Sequence, residues 1–159
     1  MGGRDLSEKT YADGEVQLVI FKLGREEYGI SILQVQEIKR MTDITRVPHT
    51  PPYIKGVINL RGSVLSVIDL RKRLNLPSLE DSDDTRIIIV KVEDITVGMI
   101  VDSVSEVTAL NQENIELPSV VVGGVATNYL SGVGKQDDRL LILLNLDEII
   151  GISQDNKAG

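Results

Sequence analysis

Four short stretches of this 159-residue chain carry residue types able to do chemistry. Gly132-Val133-Gly134-Lys135 has the ending of a phosphate-cradling loop, in which backbone amides and a lysine hold an oxyanion. That loop also needs a glycine where Tyr129 stands and a hydroxyl residue where Gln136 stands, so both flanks fail. Asp81, Asp83 and Thr85 have the alternate spacing of a calcium loop, yet Arg86 takes the place of its turn glycine and Val92 that of its bidentate glutamate. His49, the only histidine, lies in Val47-Pro48-His49-Thr50-Pro51-Pro52, where prolines fix a rigid extended turn; with no cysteine and no second histidine to join it, it reads as a solvent-side turn residue. The fourth stretch, Gly56-Val57-Ile58-Asn59-Leu60-Arg61-Gly62, offers a guanidinium fork suited to gripping a carboxylate. No nucleophile stands beside a base in a recognisable arrangement, so the chain is read as carrying no catalysis and no cofactor.

These stretches sit in a duplicated framework. Leu18-Val19-Ile20-Phe21-Lys22-Leu23 with Tyr28-Gly29-Ile30 returns as Ile87-Ile88-Ile89-Val90-Lys91-Val92 with Val97-Gly98-Met99, an offset of 69 residues that also relates Val35-Gln36-Glu37-Ile38 to Val104-Ser105-Glu106-Val107. Tyr53-Ile54-Lys55-Gly56-Val57 returns as Tyr129-Leu130-Ser131-Gly132-Val133, and Val64 to Leu70 as Leu140 to Leu146, at an offset of 76. Residues shared by both copies serve the scaffold. Where the first copy has Asn59-Leu60-Arg61-Gly62 the second has Lys135-Gln136-Asp137-Asp138, so the first set is the better functional candidate. Two similar faces with a seam between them, and no chemistry, suit a connector.

Composition narrows the class. With 42% hydrophobic and 26% charged residues the chain can bury an ordinary core, and with only 3% aromatics that core must be Val, Ile and Leu, which favour strands. A net charge of −7 disfavours a nucleic-acid partner, and Arg71-Lys72-Arg73 is too short to reverse it. Without cysteine there is no disulfide framework or thiolate metal site. No apolar run reaches membrane-spanning length and the N-terminus lacks a signal-peptide core, so a soluble cytoplasmic protein with no direct membrane insertion is expected.

Short Val/Ile/Leu runs between turn residues predict strands over 16–23, 27–32, 35–41, 56–60 and 63–69, and in the second copy over 86–92, 96–101, 104–110, 130–133 and 139–145. Hairpin turns are expected at Arg61-Gly62 and Lys135 to Asp138, and short helices at Leu70 to Asn75 and Leu146 to Ile150. Glu80-Asp81-Ser82-Asp83-Asp84 reads as a solvated linker between units 15–79 and 86–150 of a single 15–150 domain, in which strands could pass between units. Residues 1–14 and 154–159 read as flexible ends. Five short strands per half suggest a small closed barrel, since closure removes exposed edges.

The Gly56–Gly62 heptad, with Ile54-Lys55 before it and Val67-Ile68-Asp69-Leu70-Arg71 after it, resembles the signature of the CheW family of bacterial chemotaxis coupling proteins. Glu26-Glu27-Tyr28-Gly29-Ile30, Val97-Gly98-Met99-Ile100-Val101-Asp102 and the two Val-x-Glu-containing segments named above extend the resemblance over about residues 15 to 150. It implies a mainly β fold of two tandem five-stranded SH3-like barrels sharing a core, with short helices. It also implies a non-catalytic adaptor, a monomer when isolated, that couples the cytoplasmic tips of methyl-accepting chemoreceptors to the regulatory domain of a CheA-type histidine kinase and is recruited to membrane-associated receptor arrays. The receptor contacts it implies are Ile32, Val35, Glu37, Lys55, Gly56, Arg61, Val104 and Val107, lining a groove between barrels, with Glu37 as partner of Arg61. The kinase contacts it implies are Arg40, Met41 and Ile44, with Val121 toward a second kinase domain.

The second offset exceeds the first by seven residues, and the extra length falls near Leu117 to Gly124. Pro118 to Gly124 is apolar, and both a buried cover and an exposed array contact fit it. From another class, a small β-barrel enzyme or ligand binder would need a pocket lined by Arg61, Glu37 and Asn59.

Overall fold

The computed structural model describes residues 10–11, 14–118 and 124–151. Its first half runs β1 (Thr10–Tyr11), β2 (Glu15–Leu23), β3 (Glu26–Ser31), β4 (Val35–Arg40), β5 (Ile54–Leu60), β6 (Ser63–Asp69) and α1 (Leu70–Arg73). The second runs β7 (Arg86–Val92), β8 (Ile95–Val101), β9 (Ser103–Asn111), β10 (Ile115–Glu116), β11 (Leu130–Gln136), β12 (Arg139–Leu144) and α2 (Leu146–Ile150). The fold is mainly β, with two SH3-like barrels and few short helices.

Each barrel draws strands from both halves of the chain. The five-stranded sheet has the order β4-β7-β8-β6-β5, so the β7–β8 hairpin of the second half lies among three strands of the first. The seven-stranded sheet runs β1-β2-β3-β12-β11-β10 with β9 on β2, placing the β2–β3 hairpin of the first half among strands of the second. The offsets explain the symmetry: β2 and β3 match β7 and β8, and both hairpins join their sheets through a parallel pair, β3 with β12 and β8 with β6. Closure is matched too. After β4 the chain returns at Thr45 to exchange hydrogen bonds with Val57 on β5, at 2.9 and 2.8 Å. After β9 it returns as β10 to pair with β11.

The exchange accounts for the unbroken apolar runs. Along β2, Val16, Leu18 and Ile20 fill the interior of the seven-stranded barrel, while Val19, Phe21 and Leu23 point into a central layer between barrels. Along β7, Ile87 and Ile89 fill the five-stranded barrel, and Ile88, Val90 and Val92 join the same central layer. A strand buried on both faces needs no polar alternation. Burying each such side chain contributes about 1.5–3 kcal/mol, so the central layer binds the barrels strongly. Gly29 and Gly98, the anchors of the repeat, sit on the second strand of each hairpin because a Cβ there would come within 3.0 Å of Leu143 and 2.8 Å of Ile87.

Two arginines of the small basic run clamp this layer. Arg73 is buried; its Nε and Nη2 donate to the carbonyls of Ile149 and Glu148, each at 2.8 Å, and its guanidinium lies 4.2 Å from the Tyr53 ring and 5.2 Å from the Tyr129 ring. Tyr53 and Tyr129 are repeat counterparts, so Arg73 sits at the pseudo-twofold seam. Arg71 grips Asp102 with two hydrogen bonds, at 2.9 and 2.5 Å, and Asp102 also accepts the Gly24 amide at 2.6 Å, joining α1 to both hairpin systems.

Several boundaries differ from expectation. β11 runs to Gln136, leaving a two-residue turn at Asp137-Asp138, because Lys135 pairs with Glu116 at 3.0 Å and Gln136 bonds Thr108 and the Ala109 carbonyl. β5 begins at Ile54, α1 ends at Arg73, and Thr10–Tyr11, placed in a fraying end, pairs with Glu15 and Val16. The expected end 154–159 lies outside the described residues.

Expressing 1–82 and 83–159 as separate chains tests the exchange. Each alone should lack the dispersed NMR spectrum of a packed sheet, since an isolated hairpin is marginal, and mixing should restore it. Independent folding of either piece would contradict the topology.

Candidate interaction surface

Arg61 occupies the tip of the β5–β6 hairpin. Leu60 pairs with Ser63, and the two turn residues, Arg61 (φ 50°) and Gly62 (φ 88°), both have positive φ. Such a turn matches strand twist and favours Asn-Gly; a side chain like arginine there costs about 1–2 kcal/mol. Asn59 steadies the turn by accepting the Gly62 amide at 3.1 Å. The Arg61 side chain is 75% exposed and donates from Nη2 to Glu37 Oε2 at 2.6 Å. That hydrogen bond, opposed by partial desolvation, holds the Glu37 carboxyl below its ordinary value. This is Arg61's one hydrogen bond among the described residues, which leaves the other guanidinium donors facing solvent.

The apolar members of the predicted receptor set lie on the central layer. Ile32 stands in a single 3-10 turn, Ile32–Gln34, started by Ser31 Oγ accepting the Leu33 amide at 3.2 Å, and this turn touches both β2 and β7. Val35 is registered opposite Val90 and Val104 opposite Phe21; Ile32, Val35 and Val104 are half-buried against the central core. Val107, opposite Val19, is 53% exposed, as is its counterpart Ile38, opposite Ile88, at 41%. Glu37 instead faces Ile89, whose side chain fills the five-stranded barrel. Register shifts at Gln36 and Ser105 break strict strand alternation and divide the set, with Ile32, Val35, Val104 and Val107 at the edge of the central layer and the Arg61–Glu37 pair over the five-stranded barrel.

Lys55 is exposed, but Gly56 is buried at a bulge of β5 against β6, where a Cβ would strike the Thr45 carbonyl and come within 2.8 Å of Ile44 Cγ2. Barrel closure alone thus requires glycine at 56. Of the predicted kinase contacts, Arg40 is exposed, whereas Met41 and Ile44 are half-buried against the interior of the five-stranded barrel. Val121 lies outside the described residues.

The repeat comparison missed Arg139. Asp137 stands at the position matching Arg61, so alignment shows no second arginine, yet Arg139 of the equivalent hairpin reaches Glu106, the counterpart of Glu37, at 2.7 Å. It also grips Glu27 at 3.1 and 3.0 Å, and only 30% of its side chain is exposed. Only the three-dimensional register could reveal this rebuilt pair. Arg139 is enclosed by two carboxylates, whereas Arg61 has one and faces solvent.

The arrangement suits recognition more than catalysis. Arg61, Glu37 and Asn59 line none of the three principal cavities. Among the described residues no group of three or more His, Asp or Glu side chains could hold a metal ion, and no helix is long and apolar enough to cross a membrane.

Fold and surface together define a double-barrel β domain. The family model of the CheW-like domain matches residues 17–154. The chain is 42% identical over 134 residues to the chemotaxis protein CheW of Bacillus subtilis strain 168, covering 84% of this chain and 86% of that one. It is 40% identical over 134 residues to the chemotaxis protein CheW of Klebsiella aerogenes, covering 84% and 81%. The crystal structure of the scaffolding protein TtCheW from Thermoanaerobacter tengcongensis matches with a TM-score of 0.78 at 39% identity, covering 84% of this chain and 86% of that one. The chain belongs to the CheW-like domain family.

The Arg71–Asp102 clamp gives a pH prediction. Burial pushes the Asp102 carboxyl up, but the Arg71 hydrogen bonds and the Gly24 amide outweigh it and hold the group below its ordinary value of 3.8. Its stabilisation is therefore complete above that ordinary value and is lost as pH falls through the lowered, folded value. Asp102→Asn should cost about 2 kcal/mol in urea unfolding at neutral pH, between an exposed and a fully buried pair, and the gap from wild type should narrow as pH falls below the ordinary aspartate value. A gap that stays constant with pH would remove the clamp from the account.

Proposed function

We propose that this chain is a non-catalytic adaptor that couples the cytoplasmic tips of chemoreceptors to a CheA-type histidine kinase through the kinase's regulatory domain. The observation that carries the reading is Arg61. It holds an unfavourable backbone conformation at a hairpin tip, with spare donors turned to solvent, where the fold itself would prefer asparagine. Half-buried Ile32, Val35 and Val104, with exposed Val107, supply an apolar strip against which a receptor helix could lay one face. The family, whose members similar to this chain include a chemotaxis protein and a scaffolding protein, supports the same role. On this reading the protein works in the cytoplasm, is a monomer when isolated, and joins membrane-associated arrays through its partners. Arg40, with half-buried Met41 and Ile44 beside it, is the proposed kinase face.

The test separates fold from function at one residue. Arg61→Ala should keep the wild-type melting temperature and kinase binding but fail to activate the kinase in a reconstituted receptor mixture. Arg61→Asn should be more stable than wild type by up to about 1 kcal/mol, since asparagine tolerates the left-handed turn, and should be equally inactive. Full coupling by either well-folded variant would reduce Arg61 to a turn residue.

A further inference from the structure

The β4–β5 loop frames a cavity of about 400 Å³ whose walls include Arg46, His49, Lys55 and Lys72, with Asp69 as its carboxylate. All four cationic or titratable side chains are exposed, and none makes an ion pair among the described residues. Asp69 accepts the backbone amide of Lys72 at 3.3 Å and offsets one of the three permanent cations, Arg46, Lys55 and Lys72. The net charge of the chain is −7, so a hollow that remains net basic stands out from the rest of the molecule. Its frame is rigid. Pro48, Pro51 and Pro52 fix the backbone, Thr50 donates to the Val47 carbonyl at 3.1 Å, and the Ile54 amide donates to the Pro51 carbonyl at 3.0 Å.

We propose that this hollow docks an acidic segment of a protein partner, whose carboxylates meet Arg46, Lys55 and Lys72 while its aliphatic stems lie along the proline wall. Charge complementarity selects the occupant: on a protein of net charge −7, a locally basic hollow steers and orients an acidic segment. The cations of the hollow are distributed around a space of peptide size rather than converging on one point, which suits several carboxylates of one segment. The site shares only Lys55 with the receptor contacts proposed above and does not depend on them.

A fluorescein-labelled peptide of alternating glutamate pairs and leucines is the probe. Titrated into ¹⁵N-labelled protein at low ionic strength, it should shift the amides of residues 46–55 and 72, weaken as salt is added, and have no effect when glutamine replaces glutamate. The double variant Lys55→Glu, Lys72→Glu should bind at least about tenfold more weakly by anisotropy while keeping its melting temperature. Unmoved loop amides, or equal affinity in the double variant, would overturn the proposal. So would pyrophosphate binding at the loop where the peptide does not, which would assign the hollow to a phosphorylated small molecule.

Discussion

The central apolar layer is the interaction on which the rest of the structure depends. β2 and β7 each turn one face into a barrel of their own and the other into that layer, so neither barrel can be completed without the hairpin the other half supplies. Association of the barrels is thereby built into the covalent topology. Few polar groups cross the layer: Arg73 caps the carbonyls at the end of α2 between two equivalent tyrosines, Arg71 closes on Asp102, and the buried Tyr28 hydroxyl has no hydrogen-bond partner among the described residues. Such clamps add geometry more than energy, because desolvating charges offsets much of their attraction.

Duplication gives two similar barrels, and function needs them to differ. Both place an arginine from the closing hairpin on the glutamate of the closing strand, Arg61 on Glu37 and Arg139 on Glu106. In the second barrel the arginine is tied to Glu27 as well and serves the sheet. In the first it sits on a strained turn and remains open. Glu93 and Asp137 share the left-handed turn conformation of Arg61, so the open guanidinium rather than the turn itself is the asymmetry on which the proposed receptor contact rests.

Much of this was legible in the sequence because repeats and periodicity report burial directly. The two offsets marked the equivalent strands, and the apolar runs at 18–21 and 87–90 marked them as strands, while their burial on both faces became visible only in the fold. Three features had no sequence signal. β10 is a two-residue strand too short to show a period. Arg139 takes the part of Arg61 from a position two residues away from the aligned one, a relation visible only once β12 is in register. The roles of Arg71 and Arg73 were hidden because a run of three basic residues reads as solvated charge, while helix α1 turns two of them inward. Gly56 was legible as special but for another reason than barrel closure, since contact with Thr45 depends on a loop whose path composition does not dictate.

The account's central claim is that one small double barrel presents separate surfaces to two partners. Calorimetry measures this most directly: the kinase regulatory domain is titrated into the protein alone and into the protein saturated with a receptor-tip fragment. The account predicts the same affinity in both titrations and a ternary complex. Loss of kinase-domain binding in the presence of receptor would mean a single shared surface and would contradict it.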